Sequence, residues 1–393
     1  MVSYHNMNMS MFKSDADLAD VELFHGYSKV LLQFAYACCV IFTLVGIPGN
    51  LITVVALAIC EKFRNAIAYF IINLHLSNLI YCFMILPMTA SFYSSQHWKF
   101  GKTMCVVYPY IKYVLMGCAH FTVVAITLNR YIIVCHPQVY HRLYKKSILI
   151  ITLLFTWIVP LVMFFPTLMQ VWGTFGLDAE GSVCTMIPDE RGKNAKTFFV
   201  CFAFIGPYLL IIACYARIWW TVKKAVRKRN AHKARAAQPT VVSNSESESS
   251  EAKIEPSSLV NTVSDASMTD KANNLDTSII SVSNDRESTI MTFIKSHKNI
   301  HKIKLPTRKD KKLANMIVGI LIAFLLCHLP TMLIRLAYGE YTTHPGFNIL
   351  SHLLEYSAAF TSPLIYVMMS REYRQAYGYL FKVINEKITN FIC

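Results

Sequence analysis

Charged side chains are scarce in this chain. Asp, Glu, Lys and Arg make up 16% of its 393 residues, whereas 54% are hydrophobic, and the mean hydropathy is +0.39. A soluble domain of this length needs more charge to cover its surface. The shortage of charge argues against a large soluble protein with buried helices and favours a chain embedded in a membrane.

Signatures of catalysis and of secretion are missing as well. We find no nucleophile elbow, no phosphate-binding glycine loop and no cluster of metal ligands, so we expect neither an enzyme nor a bound cofactor. No cleavable signal peptide is visible, because the first 28 residues are polar and the first apolar run is too long for the core of such a peptide. We expect that run to act as its own insertion signal.

Seven apolar runs dominate what remains. A helix needs about 20 apolar residues to cross a bilayer, and in hydrocarbon the backbone must satisfy its own hydrogen bonds. We therefore predict an all-α membrane protein, a bundle of seven transmembrane helices. Residues 371–384 repeat apolar side chains at helical spacing, which predicts a short amphipathic eighth helix on the inner leaflet. The seven runs cover residues 30–58, 66–93, 105–135, 147–170, 197–220, 313–337 and 349–369.

The distribution of positive charge predicts the orientation. The net charge of +15 would suit nucleic acid, but basic residues gather at one set of run ends, above all in 223–235 and 295–312. Basic loops stay cytoplasmic, so we expect a plasma-membrane protein with an extracellular N-terminus, whose basic segments contact membrane lipids and not nucleic acid. Residues 243–288 are polar and poor in aromatics, which predicts disorder. The predicted segments are an extracellular 1–29, five spans in 30–220, a cytoplasmic loop 221–312, two spans in 313–370, and an amphipathic helix with a cytoplasmic tail in 371–393.

Twelve cysteines do not predict a disulfide scaffold. Nine lie in apolar stretches, where cysteine acts as a small hydrophobic residue, and Cys393 belongs to the cytoplasmic tail. Cys105 and Cys184 remain, both on the predicted extracellular face, where disulfides form. We predict a Cys105–Cys184 bridge that attaches the second outer loop to the third span. On the same face, Asn8-Met9-Ser10 fits a glycosylation acceptor.

Motifs over nearly the whole chain resemble the rhodopsin-like G-protein-coupled receptors. Seven spans, an outer disulfide on the third span and the spacing from Cys105 to Arg130 are typical of that family. The resemblance implies that an extracellular or membrane-derived ligand shifts spans five to seven and promotes nucleotide exchange on a heterotrimeric G protein. It also implies arrestin and receptor kinases as partners of the loop 221–312. The matching residues are Gly49-Asn50, Trp157, Pro207, Tyr215, Phe324, Cys327, Pro330, Pro363 and Tyr366.

Four positions depart from the family pattern. An asparagine directly before the arginine, as in Asn129-Arg130, also occurs in melatonin receptors. The whole set of departures is similar to the insect Moody and Trapped-in-endoderm receptors. Without the usual aspartate in the second span, we do not expect the family's sodium site. The departures are Asn129-Arg130-Tyr131 for Asp-Arg-Tyr, Asn78 for aspartate, His328 for tryptophan, and Ser362-Pro363 for Asn-Pro.

Arg130 is the predicted inner switch. Its charge is permanent and costly to bury without a partner, and Asn129 cannot neutralise it. We therefore predict Asp310, at the inner start of the sixth span, as its partner at rest; outward movement of that span would release Arg130 and open a groove for the G protein. The competing interpretation is an arginine that only snorkels to the membrane surface. The predicted coupling site also includes Tyr131, Tyr215 and Tyr366, and the predicted relay to it contains Asn50, Asn78, Phe324, His328, Pro330, Ser362 and Pro363.

Three charges lie in the outer half of the spans: Lys112, Arg335 and Glu355. Charge within a span marks a functional site by default. Lys112 stands where amine receptors carry an aspartate, so we do not expect a simple monoamine ligand. One alternative is an anionic or lipid-like ligand held by Lys112 or Arg335; the other is a Lys112–Glu355 pair that only stabilises the bundle. The remaining ligand-pocket candidates are Tyr113, Met116 and His352.

Other functions are weaker interpretations of the same chain. His120, His328 and His352 would suit pH sensing or metal binding, but without metal-ligand spacing they are interpreted as polar packing groups. A transporter or channel is the main alternative function. It would show inverted repeats, and the single long loop 221–312 breaks such symmetry. A retinal protein is excluded, because the seventh span contains no lysine.

Overall fold

Each apolar run forms a helix in the computed structural model of this protein. The structure describes residues 12–61, 65–178, 181–236, 308–338 and 344–392, so the predicted acceptor Asn8 lies outside it. Two short helices, Asp15–Ala19 and Pro137–Leu143, accompany the long ones. The long helices are α1 (Lys29–Ile59), α2 (Ala66–Ser95), α3 (Gly101–Cys135), α4 (Lys146–Leu168), α5 (Lys196–Val200 and, after a π-helical turn, Gly206–Ala236), α6 (Arg308–Tyr338), α7 (Pro345–Met369) and α8 (Arg371–Ile392).

Apolar length distinguishes most of these helices. Within the described residues, α1 to α5 are long and apolar enough to cross a membrane, and α6 adds a shorter apolar stretch, Val318–Leu333. Large apolar side chains project outward from them, as Leu44 and Val162 do at 68% and 64% exposure. Residues 226–304 form a second compact unit, of which only 226–236, the end of α5, is described.

Local sequence explains where helices begin. Ser28 precedes α1 and accepts a hydrogen bond from the Leu31 backbone N–H (3.2 Å), and Asn65 caps α2 in the same way through Ala68 (3.0 Å). Such side chains satisfy backbone donors that the first turn of a helix leaves open. At the other end of α3, Pro137 begins a new short helix, as a residue without a backbone N–H can only do in a first turn.

Glycines allow the helices to approach closely. A Cβ atom added to Gly46 would collide with the Cys82 sulfur of α2, and one added to Gly117 would press on the Pro160 ring of α4. Small residues of this kind let helix backbones pack tightly in a membrane. Gly46 therefore lets α1 approach α2 closely, and Gly117 does the same for α3 and α4.

Trp157 holds three helices together. Its indole Nε1 donates to Asn73 Oδ1 of α2 over 2.8 Å, while Asn73 Nδ2 donates to Thr122 of α3 (2.8 Å) and Thr156 of α4 (3.0 Å). The polar side chains of α2 thus face the interior of the bundle.

The connection between α4 and α5, predicted only as the second outer loop, contains two strands. It folds into an antiparallel hairpin of β1 (Thr174–Asp178) and β2 (Val183–Ile187), in which every strand residue is buried. Apolar residues such as Phe175, Leu177 and Met186 explain the burial. The sequence did not predict these strands, because they are short and the connection around them is polar.

The eighth helix is longer than predicted, extending to Ile392. Its buried residues Tyr373, Ala376 and Leu380 pack into the core, and the Tyr377 hydroxyl lies 2.7 Å from Thr53 Oγ1 of α1. Burial raises the pKa of Tyr377, and the hydrogen bond to Thr53 opposes that shift. Much of its apolar side therefore contacts the bundle, whereas Phe381 remains 56% exposed.

Candidate functional site

The predicted disulfide marks one end of the bundle. Cys105, near the start of α3, bonds to Cys184 in β2, with a Cα–Cα distance of 5.3 Å. We call this the disulfide end, and the opposite end, where α3 carries Arg130, the Arg130 end. The bridge holds the hairpin over the part of α3 that leads to Lys112.

Lys112 and Glu355 form an ion pair inside the bundle. Lys112 Nζ lies 3.0 Å from Glu355 Oε1 of α7, and both residues are only 4% exposed. The ammonium also lies 4.9 Å from the centre of the Tyr356 ring, and His352 Nδ1 is 3.9 Å from Glu355 Oε2. Of the two predicted alternatives, the structure shows the pair between α3 and α7; the side chain of Arg335, the third predicted charge, lies outside the described part.

Tyr113 and Met116 extend this site along α3. The Tyr113 hydroxyl lies 2.7 Å from Thr185 Oγ1 of β2, so the hairpin contacts α3 at the residue after Lys112. Met116 is 5% exposed and, with Glu355, His120, His328 and Asn78, lines a cavity of about 20 Å³. A cavity of that size has room for about one water molecule. Glu355 of the ion pair thus shares this cavity with residues that lie closer to the Arg130 end, namely His120, His328 and Asn78.

An N-terminal cap, residues 12–28, packs across the disulfide end. Leu18, Leu23 and Phe24 are 0%, 1% and 6% exposed and belong to the same apolar core as the disulfide. The Phe24 backbone N–H donates to Ser182 Oγ of the hairpin turn over 2.7 Å, and Asn348 Nδ2 of α7 donates to the Tyr27 hydroxyl over 2.8 Å. The cap therefore joins the hairpin to α7.

The cap contains its own short helix. The Ser14 backbone N–H donates to the Asp17 carboxylate and lowers the pKa of that group, while the Asp17 N–H donates to Ser14 Oγ. Asp15 accepts from the Lys102 N–H (2.8 Å), which fixes the helix to the start of α3. Sequence reasoning missed the cap because the segment is polar on average, although Ser14 and Asp17 have the spacing of a capping box.

Two buried histidines contact each other on the Arg130 side of the ion pair. The rings of His120 on α3 and His328 on α6 lie 4.7 Å apart, and Phe324 is 5.5 Å from the His120 ring. His120 Nδ1 is 2.6 Å from the Met116 carbonyl oxygen, which can only accept, so Nδ1 carries the proton and Nε2 faces the Tyr208 hydroxyl at 3.3 Å. The described residues contain no group of three or more potential metal ligands.

Asn50, one of the predicted relay residues, bonds to α2 and α7 as well as to its own helix. Asn50 Nδ2 donates to the carbonyl oxygens of Gly46 (2.8 Å) and Ala359 (3.0 Å), and its Oδ1 lies 2.7 Å from His75 Nδ1 of α2. Ser362 Oγ contacts only the Ala358 carbonyl of its own helix, at 3.5 Å, among the described residues. Neither Asn78 nor Ser362 thus bonds directly to Asn50.

His75 lies among the predicted relay residues, although the prediction did not include it. It is fully buried, and its ring centre lies 5.0 Å from that of Tyr366 on α7. The polar sequence 73–78 was a signal for buried side chains in this stretch, but only Asn78 was included among the predicted relay residues. The remaining predicted relay residues, Pro330 and Pro363, lie inside α6 and α7, as expected from the sequence.

The Arg130 end holds the predicted switch residues. Asn129 is fully buried, Arg130 is 8% exposed, and Tyr215 of α5 lies within electrostatic range of the Arg130 charge. Tyr131 contacts His136 instead, with its hydroxyl 3.2 Å from Nε2. Asp310 lies in the first turn of α6, but its side chain is outside the described part.

Tyr144 packs against this end from the connection after α3. It interacts with Asn129, and burial raises the pKa of its hydroxyl to about 12, so that the group stays protonated at neutral pH. Asn129 therefore faces a neutral hydroxyl, and its own amide is neutral as well.

Comparison with known proteins identifies the class. Residues 49–366 match the model of the 7 transmembrane receptor (rhodopsin family), and the chain belongs to that family. It has the rhodopsin-like seven-transmembrane fold and is a multi-pass membrane protein. The family is a receptor family, and nothing among the relatives favours a transporter or channel.

Relatives of the chain include two fruit fly receptors. G-protein coupled receptor moody of Drosophila melanogaster is 33% identical over 90% of this chain and 52% of its own length. Protein trapped in endoderm-1 of the same species is 30% identical over 94% of this chain and 82% of its own length. The chain spans about half the length of the moody relatives that it matches.

A solved structure supports the fold. The crystal structure of squid rhodopsin superposes with a TM-score of 0.63 at 18% identity, covering 92% of this chain and 88% of the other. At that identity the similarity concerns the arrangement of helices and not the ligand.

Proposed function

We propose that this receptor senses a ligand at the Lys112–Glu355 pair and promotes nucleotide exchange on a heterotrimeric G protein at the Arg130 end. In this proposal the N-terminus and the disulfide end are extracellular and the tail is cytoplasmic, in the plasma membrane. The observation that carries the proposal is a series of buried polar groups along the bundle. It runs from the ion pair through the small cavity and the His120–His328 contact toward the relay of α1, α2 and α7.

The ion pair determines what the ligand must do. Both charges are already compensated, so a ligand gains from Lys112 only if an anionic group replaces Glu355 as its partner. Such replacement weakens a contact between α3 and α7, and α7 also carries Tyr366 of the relay. An anionic or lipid-like ligand is therefore the favoured class, because its binding would by itself bias the helix arrangement.

The switch at the Arg130 end follows the same logic. Asn129 supplies no negative charge, so we propose that Asp310 of α6 holds Arg130 in the resting receptor. Outward movement of α6 would separate them and expose Arg130 and Tyr215 to the G protein. We further propose that arrestin and receptor kinases act through residues 221–312.

Nucleotide exchange tests this function directly. Purified full-length receptor in nanodiscs is mixed with a panel of G proteins, and the rate of nucleotide exchange is measured. We expect wild type to accelerate exchange, Arg130→Ala to lose that activity, and Asp310→Ala to raise it without ligand. Asp189→Ala, which changes a carboxylate near the disulfide end, is the matched control. Absence of exchange with every G protein, or an ionic current from the purified receptor, would contradict the proposal.

A further inference from the structure

A groove between α1 and α2 lies apart from the site described above. It opens on the outer surface of the bundle, where Tyr36 and Leu44 are 41% and 68% exposed. The groove is an open cleft with a volume of about 490 Å³, within the range of about 300–1,000 Å³ usual for ligand sites. In a membrane this surface faces lipid and not the interior pocket.

The groove is polar at one end and apolar at the other. Because α1 and α2 run in opposite directions, Tyr36, Ser94 and Lys99 lie toward the disulfide end, and Leu44 and Pro87 lie deeper. Eight residues of α1 separate Tyr36 from Leu44, so the groove extends about 12 Å along the helix at a rise of 1.5 Å per residue. This gradient matches the headgroup and the chain of an amphiphile.

The polar end lacks partners of its own. Among the described residues, neither the Lys99 ammonium nor the hydroxyls of Ser91 and Ser94 form a hydrogen bond or an ion pair with another side chain. A lysine at a membrane surface attracts anionic headgroups, and a charge-assisted hydrogen bond to such a group is stronger than a neutral one. Charge complementarity therefore favours an anionic headgroup over a neutral one.

We propose that this groove binds one anionic, single-chain lipid of the outer leaflet. Its headgroup contacts Lys99 and the serines, and its chain lies against Leu44 and Pro87. α1 and α2 pack against each other along the floor of the groove, where Ala90 is buried. The space between the two helices therefore suits a single acyl chain. The leaflet follows from the proposed extracellular disulfide end, whereas binding itself does not depend on coupling to a G protein.

Photo-crosslinking in nanodiscs tests the proposal. Full-length receptor is reconstituted in phosphatidylcholine, and the probe is oleoyl lysophosphatidic acid with a diazirine in its chain. We expect crosslinks to α1 and α2 peptides that line the groove, and little labelling by a lysophosphatidylcholine probe with the same chain. Lys99→Glu should lower labelling about tenfold, the loss expected for a charge-assisted hydrogen bond. Ser94→Trp, which fills the groove from an exposed position, should abolish it.

Controls separate this site from ordinary lipid contact. Lys193→Glu makes the same charge change elsewhere at the disulfide end and should leave labelling unchanged. Lys99→Gln carries the test if Lys99→Glu does not give monodisperse protein. Equal labelling by both probes, or labelling that survives both Lys99 variants, would show bulk lipid contact only and overturn the proposal. Competition by inorganic phosphate alone would also overturn it, because the site would then recognise phosphate without a chain.

Discussion

The Lys112 ammonium and the Glu355 carboxylate lie 3.0 Å apart, and neither residue is more than 4% exposed. Two charges at that depth depend on each other, because removing either one takes away the opposite charge that lies closest to the other. The pair also forms a direct polar link between α3, which carries the disulfide and Arg130, and α7, which carries Tyr366. A change at this contact therefore affects both ends of the receptor.

Single substitutions at the pair should be more harmful than the double substitution. We expect Lys112→Met or Glu355→Leu alone to lower the free energy of unfolding by about 3–5 kcal/mol, since each removes the opposite charge that lies 3.0 Å from a buried one. The double variant should recover most of that loss, because apolar residues replace the pair as a whole. Thermal unfolding and cell-surface amount give the measurement. Losses that simply add in the double variant would show that the two side chains act independently.

We expect the buried His75 side chain to contribute measurably to the stability of the fold. His75→Leu leaves Asn50 Oδ1 without its partner at 2.7 Å, and an unsatisfied buried acceptor costs about 1–3 kcal/mol. Ser77→Ala is the matched control on the same helix, because Ser77 is similarly buried and its hydroxyl donates to the Leu74 carbonyl of its own turn. We expect the first variant to lower the unfolding temperature clearly and the second to leave it nearly unchanged. Equal effects of the two would mean that the Asn50 contact adds nothing.

The helices and the disulfide were predictable, whereas several side-chain pairings were not. Apolar length alone defined the long helices to within a few residues, apart from α5, α6 and α8, and the two cysteines assigned to the extracellular face formed the bridge. Partner choice inside the bundle depends on how far each helix is rotated. The π-helical turn Tyr81–Ile85 in α2 changes that rotation locally, and no residue type within it indicates a π-helical turn. In the structure Asn50 contacts His75, a residue that the predicted relay did not include.

The N-terminal cap should protect the disulfide end from solvent exchange. Phe24→Ala removes a buried ring that stacks on Phe92 at 6.2 Å and should raise amide hydrogen exchange throughout residues 14–28. Val30→Ala changes a side chain that is 75% exposed, and should not alter exchange in the cap. We also expect a faster association of any ligand that enters from this end. Unchanged protection in Phe24→Ala would show that the hydrogen bonds to Ser182 and Asn348 hold the cap without the ring.

Asn129 should set the level of activity without ligand. Asn129→Asp places a carboxylate next to Arg130 at a fully buried position, where an opposite charge stabilises the resting arrangement more strongly than it would in water. We therefore expect basal nucleotide exchange to fall, while exchange at saturating ligand falls less. Asn129→Ser, which keeps the site neutral, separates the effect of charge from that of shape and should leave basal exchange near the wild-type rate. A similar decrease in both variants would mean that the Asn129 amide matters for packing against Tyr144, and that charge at this position does not control the switch.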